Sequence, residues 1–122
     1  MPIKKTKKTN PMLISLIQDL KKLSAEKNVP LWRDIAARLE KAKRNWPAVN
    51  LSRIDRYIQN HETALVPGKV LSAGELTKKV SIAAWDFSEK SQEKIKKAGG
   101  KVLTIEELMK QNPEGKDIRI VG

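Results

Sequence analysis

The segment KVSIAAWDFSEKSQEKIKKAGGKVL, residues 79–103, contains the pattern that decides the fold. Residues 79–85 are rich in the small and β-branched apolar residues that are typical of a buried strand. Ser88 is a good helix N-cap, and the polar stretch after it stops before Gly99, where a helix end favours a left-handed residue. Residues 101–103 resume the strand pattern. A strand, a helix and a strand at this spacing predict a βαβ unit, in which a right-handed crossover joins two parallel strands.

The residues after this unit predict one more helix and an extended end. Thr104 and Glu107 fit a capping box, so a helix should begin there and run to Lys110 or Gln111. Glu106 and Glu107 are neighbours in sequence and point apart on a helix, which makes them a favourable acidic first turn rather than a catalytic pair. The final GKDIRIVG, residues 115–122, is strand-like or extended.

The first half of the chain predicts helices. Asn10 and Pro11 form a good helix start, and leucine and isoleucine then recur at helical spacing, so a helix is predicted over residues 11–27. Pro30 opens a second predicted helix, residues 30–44, which has one apolar and one basic face. The apolar face consists of Trp32, Ile35, Ala36, Leu39 and Ala42, and the basic face of Arg33, Arg38, Lys41 and Arg44.

Shorter elements follow this helical part. Residues 48–51 are predicted as extended, residues 52–60 as a helix, and residues 64–71 as short strands with turns at Pro67 and Gly68. The side chains predicted to point inward from the helix are Ile54, Tyr57 and Ile58.

The predicted fold class is mixed α/β, with a helical N-terminal part packed on a small sheet that contains the βαβ unit. We expect a flexible basic arm at residues 1–9, because it has four lysines and little to bury. A single globular domain is predicted over residues 10–122, mainly helical up to residue 60 and α/β with an extended end from residue 61.

Charge indicates the class of partner. The chain has 122 residues and a formal net charge of +11, which attracts polyanions. Fourteen basic and five acidic residues lie in the first sixty positions, so the polyanion should meet mainly that half. No stretch approaches the ~18 apolar residues of a membrane-spanning helix. With no cysteine and no evident export signal, a cytoplasmic location is expected, and a membrane is not an expected partner.

The residue inventory argues against catalysis. His61 is the only histidine and there is no cysteine, so zinc, haem and cysteine-nucleophile sites lack ligands. No serine stands in a G-x-S-x-G elbow, and Gly68 and Lys69 are followed by valine where a phosphate loop needs serine or threonine. We therefore predict a protein without enzymatic activity, cofactor, metal or small-molecule substrate.

Candidate RNA-binding residues are basic side chains. The four lysines of the arm have no carboxylate nearby, whereas Asp34 and Glu40 interrupt the cations of the basic helix. The arm supplies four, the basic helix and its end supply five, and the remainder follow in the chain. They are Lys4, Lys5, Lys7, Lys8, Arg33, Arg38, Lys41, Lys43, Arg44, Arg53, Arg56, Lys69, Lys78 and Lys79.

Trp46 stands beside Lys43, Arg44 and Asn45 and either packs in the core or stacks on a splayed base. Packing is favoured, because a tryptophan in a turn more often fills a core.

The stretch Lys69–Gly100 resembles the signature region of the ribosomal L-fifteen and L-eighteen-e family. That pattern has a lysine, two aliphatic residues, a glycine, an aliphatic strand, Phe–Ser, and a helix with one aliphatic residue before a final glycine. The matching residues are Lys69, Val70, Leu71, Gly74, Leu76, Val80, Ile82, Phe87, Ser88, Ile95 and Gly99. The stretches VNLSRIDRY (49–57), VPGK (66–69) and NPEGKDIRIVG (112–122) are similar to the archaeal and eukaryotic branch. Ser91 departs from the pattern, which usually has alanine.

The resemblance implies a non-catalytic protein of the large ribosomal subunit that folds and stabilises ribosomal RNA beside neighbouring ribosomal proteins. It also implies that Lys69, Lys78 and Lys79 lie near RNA-facing loops. A free-standing module that binds chromatin or tRNA would need the same positive charge and stays an alternative hypothesis. A small open α/β enzyme is a third, which nucleotide binding would support.

Deleting residues 1–9 should weaken RNA binding without changing the fold. Each phosphate that a lysine neutralises releases counterions, so the slope of log affinity against log salt should become shallower by ~0.7 to 0.9 per lost contact. Thermal unfolding of the free protein should not move. A truncated protein with the full salt slope, or one that unfolds at a markedly lower temperature, would show that the arm packs on the domain.

Overall fold

The computed structural model describes residues 10–122, in which helices cover both faces of a parallel β-sheet. This arrangement confirms the predicted α/β class. The helices are α1 (Pro11–Lys27), α2 (Pro30–Glu40), α3 (Leu51–Tyr57), α4 (Glu89–Lys97) and α5 (Ile105–Gln111). The strands are β1 (Ala48–Asn50), β2 (Thr63–Leu71), β3 (Ser81–Phe87), β4 (Lys101–Thr104) and β5 (Ile118–Ile120).

The predicted βαβ unit is present as β3, α4 and β4, with parallel pairing from Ser81 and Lys101 onward. The Ser88 hydroxyl accepts a hydrogen bond from the main-chain N–H of Ser91 and caps α4, as predicted. Gly99 ends the helix with a φ of +85°, which confirms the left-handed residue expected there. β3 begins two residues later than predicted, at Ser81.

Strand β2 is the centre of the sheet. The sheet order is β1, β2, β3, β4, and β5 also pairs with β2. β5 lies beside residues 63–65 and β1 beside residues 69–71, so the two short strands follow each other along one edge of β2.

Pro67 and Gly68, which predicted turns, lie instead inside the single strand β2. They occupy the point where β5 gives way to β1, and the register with β3 also shifts there. A proline cannot donate to a ladder, so this junction is where β2 tolerates one. A Cβ on Gly68 would lie 2.2 Å from the Pro47 carbonyl oxygen, which accepts from the Lys69 N–H. The strand therefore needs glycine at this position.

Two apolar cores lie on opposite faces of the sheet. In the first core, α1, α2 and α5 cover Leu65, Ala83 and Leu103 of three neighbouring strands. In the second core, α3, α4 and the loop after β2 cover the alternate positions of the same strands, such as Val66 and Ile82. This alternation follows from the period of two in a strand, and burial on both faces explains why these strands are almost wholly apolar.

The direction of the chain accounts for the placement of α4 and α5. Through α4 the chain moves outward from β3 to β4, and through α5 it returns across the sheet to β5. Because parallel crossovers are almost always right-handed, opposite directions of travel require opposite faces. α4 accordingly lies over the second core and α5 over the first.

Helix α2 confirms the predicted buried face but ends earlier than predicted. Trp32 and Leu39 are fully buried, and the Trp32 indole N–H donates to the Pro113 carbonyl oxygen at 2.8 Å. The helix stops at Glu40 and not at residue 44, and residues 43–45 form a short 3-10 helix. The reason is that the Lys41 carbonyl accepts from the Trp46 indole at 3.0 Å, instead of from the main chain of a continuing helix.

Helix α3 also differs from the prediction at one residue. Ile54 and Ile58 are buried as expected, but Tyr57 is 50% exposed, so its predicted inward orientation was wrong. The helix ends at Tyr57 and the next residue is extended, which turns the chain before a further helical turn could form.

An ion pair fastens β5 to the start of β2. The Arg119 guanidinium donates to both carboxylate oxygens of Glu62, at 2.8 and 3.1 Å. The bond from Arg119, followed by the bond from the Gln59 main-chain N–H, lowers the pKa of Glu62. The contribution of this pair to stability is therefore present at neutral pH and is lost as the pH falls through that lowered pKa.

Ser91, the departure from the family pattern, is fully buried and its hydroxyl is satisfied. The hydroxyl lies 2.8 Å from the Ser88 carbonyl oxygen and 3.2 Å from the Val70 carbonyl oxygen. Both carbonyls also accept main-chain hydrogen bonds, from Gln92 and Ser88 respectively. The serine thus fits where alanine is usual, without leaving a polar group unpaired.

Replacing Ser91 tests this account. Ser91→Ala should change the free energy of unfolding by less than about 1 kcal/mol, because both carbonyls keep a partner. Ser91→Leu should cost about 1 to 3 kcal/mol, because α4 has no room for the added atoms against β2. Chemical denaturation of the two variants measures the difference. A costly alanine would show that the hydroxyl holds α4 in place.

Candidate nucleic-acid interface

The most distinctive surface feature is a cleft of about 250 Å³ lined by two tryptophans. The Trp46 and Trp85 rings meet edge to face, with centroids 6.0 Å apart and planes 77° apart. Both side chains are half-buried against the first core, so the predicted packing of Trp46 is present. The cleft lies where the 3-10 helix and β1 meet the carboxyl-terminal halves of β2 and β3. We call it the tryptophan cleft.

Cations stand at the rim of the tryptophan cleft. The Lys43 ammonium lies 5.7 Å from the Trp46 ring centroid and 5.8 Å from that of Trp85, within the range of a cation–π contact. Across the cleft, the Lys69 ammonium is 3.9 Å from a carboxylate oxygen of Asp86, and both side chains are at least half exposed. Arg44 is exposed on the 3-10 helix. The cleft thus combines aromatic walls with positive charge, the combination that proteins use for single-stranded nucleic acid.

The two arginines of α2 differ in their surroundings. Arg33 is exposed. Arg38 donates to Asp34 one turn earlier and to the Gly122 carbonyl oxygen, both at 3.2 Å. Arg38 therefore holds the end of the described chain against α2. Lys41 is exposed just beyond the helix.

A second group of cations lies on α3, over the opposite face of the sheet. Arg53 and Arg56 are exposed there, and Tyr57 is half exposed next to them. The adjacent loop after β2 is tied to this helix, because the Asp55 carboxylate accepts from both the main-chain N–H and the hydroxyl of Thr77.

Lys78 and Lys79 have different surroundings although they are neighbours. The Lys78 ammonium donates to the carbonyl oxygens of Asp55 and Ile58, each at 2.7 Å, and so caps the end of α3. Lys79 is exposed, and its aliphatic stem lies close to Gly99. Of this pair, Lys79 has the ammonium that is available to a ligand.

The structure thus brings Lys43 and Lys69 together at one cleft, with Arg44 next to Lys43 on the 3-10 helix. Arg53 and Arg56 lie across the sheet from them. Lys4, Lys5, Lys7 and Lys8 lie outside the described residues. Sequence reasoning missed Trp85 and Asp86 as members of a site, because they read only as the end of a strand. The carboxyl ends of adjacent parallel strands meet at one edge of a sheet, and applying that rule to Lys69 and Asp86 was the available signal.

Within residues 10–122 no group of three or more histidine, cysteine or acidic side chains could hold a metal ion. In the same part of the chain, no helix is long and apolar enough to cross a membrane.

A sequence profile of the family described as "Ribosomal protein 60S L18 and 50S L18e" matches residues 2–121. The chain belongs to the L-eighteen-e family of large-subunit ribosomal proteins. Among its relatives, the large ribosomal subunit protein eL18 of Methanoregula boonei is 52% identical over 114 residues, which cover 93% of this chain and 94% of the relative. The eL18 of Methanothermobacter thermautotrophicus is 44% identical over 119 residues, or 98% of each chain. The eL18 of Archaeoglobus fulgidus is 45% identical over 115 residues, which cover 94% of this chain and 98% of the relative.

These matches confirm the resemblance that the sequence motifs indicated. The three relatives come from archaea, which agrees with the archaeal branch of the family. The family is one of large-subunit ribosomal proteins, and the matches cover both the cleft residues and α3.

Replacing Lys78 and Lys79 in turn compares a lysine that is bonded to the end of α3 with a neighbouring lysine that is exposed. Lys78→Met should lower the free energy of unfolding by about 1 to 3 kcal/mol, because it removes a charged donor from two carbonyls at the end of α3. Lys79→Met keeps the aliphatic stem and should stay within about 0.5 kcal/mol. Chemical denaturation measures both. Equal losses would show that the Lys78 contacts do not stabilise α3.

Proposed function

We propose that this protein is a structural constituent of the large ribosomal subunit that binds and stabilises ribosomal RNA. Its partners are ribosomal RNA and the neighbouring ribosomal proteins, and its place is the ribosome in the cytoplasm. The protein acts by binding, without catalysis, cofactor or small-molecule substrate. Family membership supports the ribosomal assignment, and the surface of the described residues supports RNA as the ligand.

The observation that carries the proposal is the tryptophan cleft with its cations. Lys43 and Lys69 stand around two aromatic rings that are only partly buried, and Arg44 follows Lys43 on the exposed 3-10 helix. Phosphates favour the cations, and bases favour the ring faces, so the cleft offers contacts to both parts of a nucleotide. An ordinary solvated charged face lacks the rings.

The second cationic group supports a bridging role. Arg53 and Arg56 lie over one face of the sheet and the tryptophan cleft over the other, with β1 and β2 between them. Two RNA segments can therefore bind at once, one at each face. A protein that holds two segments at a fixed distance stabilises the folded RNA, which is the action we propose.

A matched pair of double variants tests the RNA surface. Lys43→Gln with Arg44→Gln removes two charges from the 3-10 helix that borders the cleft, and Lys90→Gln with Lys96→Gln removes two exposed charges from α4. The cleft variant should bind large-subunit RNA more weakly and with a salt slope shallower by ~0.7 to 0.9 per lost contact. The α4 variant should lose less affinity for large-subunit RNA, and its salt slope should change less. Equal effects of the two pairs would contradict the proposed surface.

Sedimentation of cell extract separates the ribosomal function from a free-standing nucleic-acid module. We expect the protein in the large-subunit fraction at low salt, with release only at high salt. Protein that sediments with chromatin or with tRNA at low salt would contradict the proposal. If the protein is in the large-subunit fraction, a crosslinking map of intact subunits would identify the RNA segments at the cleft and at α3.

A further inference from the structure

We infer that the tryptophan cleft receives one unstacked base of the RNA, and that Asp86 selects guanine. This inference rests on the proposed function and adds the identity of the ligand at one site. It begins with the shape of the cleft. The Trp46 and Trp85 planes are 77° apart, so a base stacked on one ring presents its edge to the other. Such a corner holds a single base and does not fit a stacked pair or a duplex.

The walls of the cleft are fixed before any ligand binds. The Trp46 indole N–H is bonded to the Lys41 carbonyl oxygen, which sets the orientation of that ring. The main chain at Pro47 is bonded to β2 through Lys69, and Gly68 packs so closely on Pro47 that no side chain fits between them. A site that is already ordered loses little entropy on binding.

The charges around the cleft have opposite signs and suit different parts of a nucleotide. Lys43 and Lys69 supply the positive charge that a phosphate requires. Asp86 adds a carboxylate to the same cleft, 3.9 Å from the Lys69 ammonium, and its side chain is 59% exposed. A carboxylate repels phosphate and accepts hydrogen bonds, so within a polyanion site it suits a hydrogen-bond donor of the base rather than the backbone.

The geometry of Asp86 favours a base with two adjacent donors. The Phe87 main-chain N–H donates to one carboxylate oxygen at 2.9 Å and orients the group, while the other oxygen lies 3.9 Å from the Lys69 ammonium, beyond hydrogen-bond distance. An ionised carboxylate only accepts, and both of its oxygens keep free lone pairs. Guanine carries two N–H donors side by side on its Watson–Crick edge. On the same edge of adenine, cytosine and uracil, the group next to the donor is an acceptor. Guanine therefore matches the carboxylate best.

Intrinsic tryptophan fluorescence can observe this event directly. The chain has three tryptophans, and Trp32 is fully buried in the first core, so quenching by a bound base reports Trp46 and Trp85. The full-length protein is titrated with single-stranded RNA pentanucleotides that are uridine except for the central base. The guanine-centred pentanucleotide should bind about tenfold more tightly than the adenine-centred one.

Three variants locate the effect. Asp86→Asn should bring the ratio of guanine to adenine affinity to about one. Loss of the negative charge should also raise the affinity for every RNA, but a gain shared by both pentanucleotides leaves their ratio unaffected. Trp85→Leu should weaken the binding of all pentanucleotides by the same factor. Glu106→Gln removes an exposed carboxylate from α5, away from the cleft, and should leave the ratio unchanged.

The outcomes separate this inference from the proposed function. A protein that binds large-subunit RNA but shows no quenching by any pentanucleotide, or shows quenching with no guanine preference, overturns the base site and leaves the proposed function standing. A guanine preference that survives Asp86→Asn also overturns it. A protein that binds neither pentanucleotides nor large-subunit RNA overturns both.

Discussion

The main-chain hydrogen bonds of β2 are the constraint on which the rest of the structure depends. This strand pairs with β3 on one side and with both β5 and β1 on the other, so it joins three other strands. Its side chains alternate between the two cores, which fixes the register of the whole sheet, since a slip of one residue would exchange the two faces. Pro67 and Gly68 are the two residues at which this continuous pairing changes partner.

The tryptophan cleft is a direct product of that change of partner. Because β5 ends where β1 begins, the chain enters β1 through Pro47, and the tryptophan before it is carried onto the sheet next to Trp85. The shift in register between β2 and β3 then places Lys69 opposite Asp86. The cleft thus combines residues from three separate parts of the chain: the 3-10 helix with the start of β1, the middle of β2 and the end of β3.

Local signals in the sequence predicted the parts of the fold that depend on local interactions. The Asn10 cap, the Ser88 cap, the Thr104 capping box and the left-handed Gly99 are all present, because each involves residues within a few positions of one another. The same reasoning predicted the bounds of α1 correctly.

The errors occur where tertiary contacts override local preference. Pro67 and Gly68 signal a turn, but the neighbours supplied by β1 and β5 keep them in a strand. α2 ends early because an indole from beyond the helix takes the Lys41 carbonyl. The candidate site was predicted as a set of cations, and its aromatic wall at Trp85 was missed, since only the pairing of β2 with β3 brings that residue to the cleft. Which of the candidate cations bind RNA stays a prediction.

The sharing of one edge of β2 by β1 and β5 has a consequence for how the protein is made. A ribosome releases a chain from its N-terminus, so β1 can pair with β2 early, whereas β5 becomes available only after residues 118–120 have emerged. Until then, the unpaired edge of residues 63–65 and the apolar surface under β5 remain open in a nascent chain. Unpaired edges of this kind favour aggregation. Completion of the fold therefore waits until residues 118–120 have emerged, when the Arg119 guanidinium reaches Glu62 and closes the sheet.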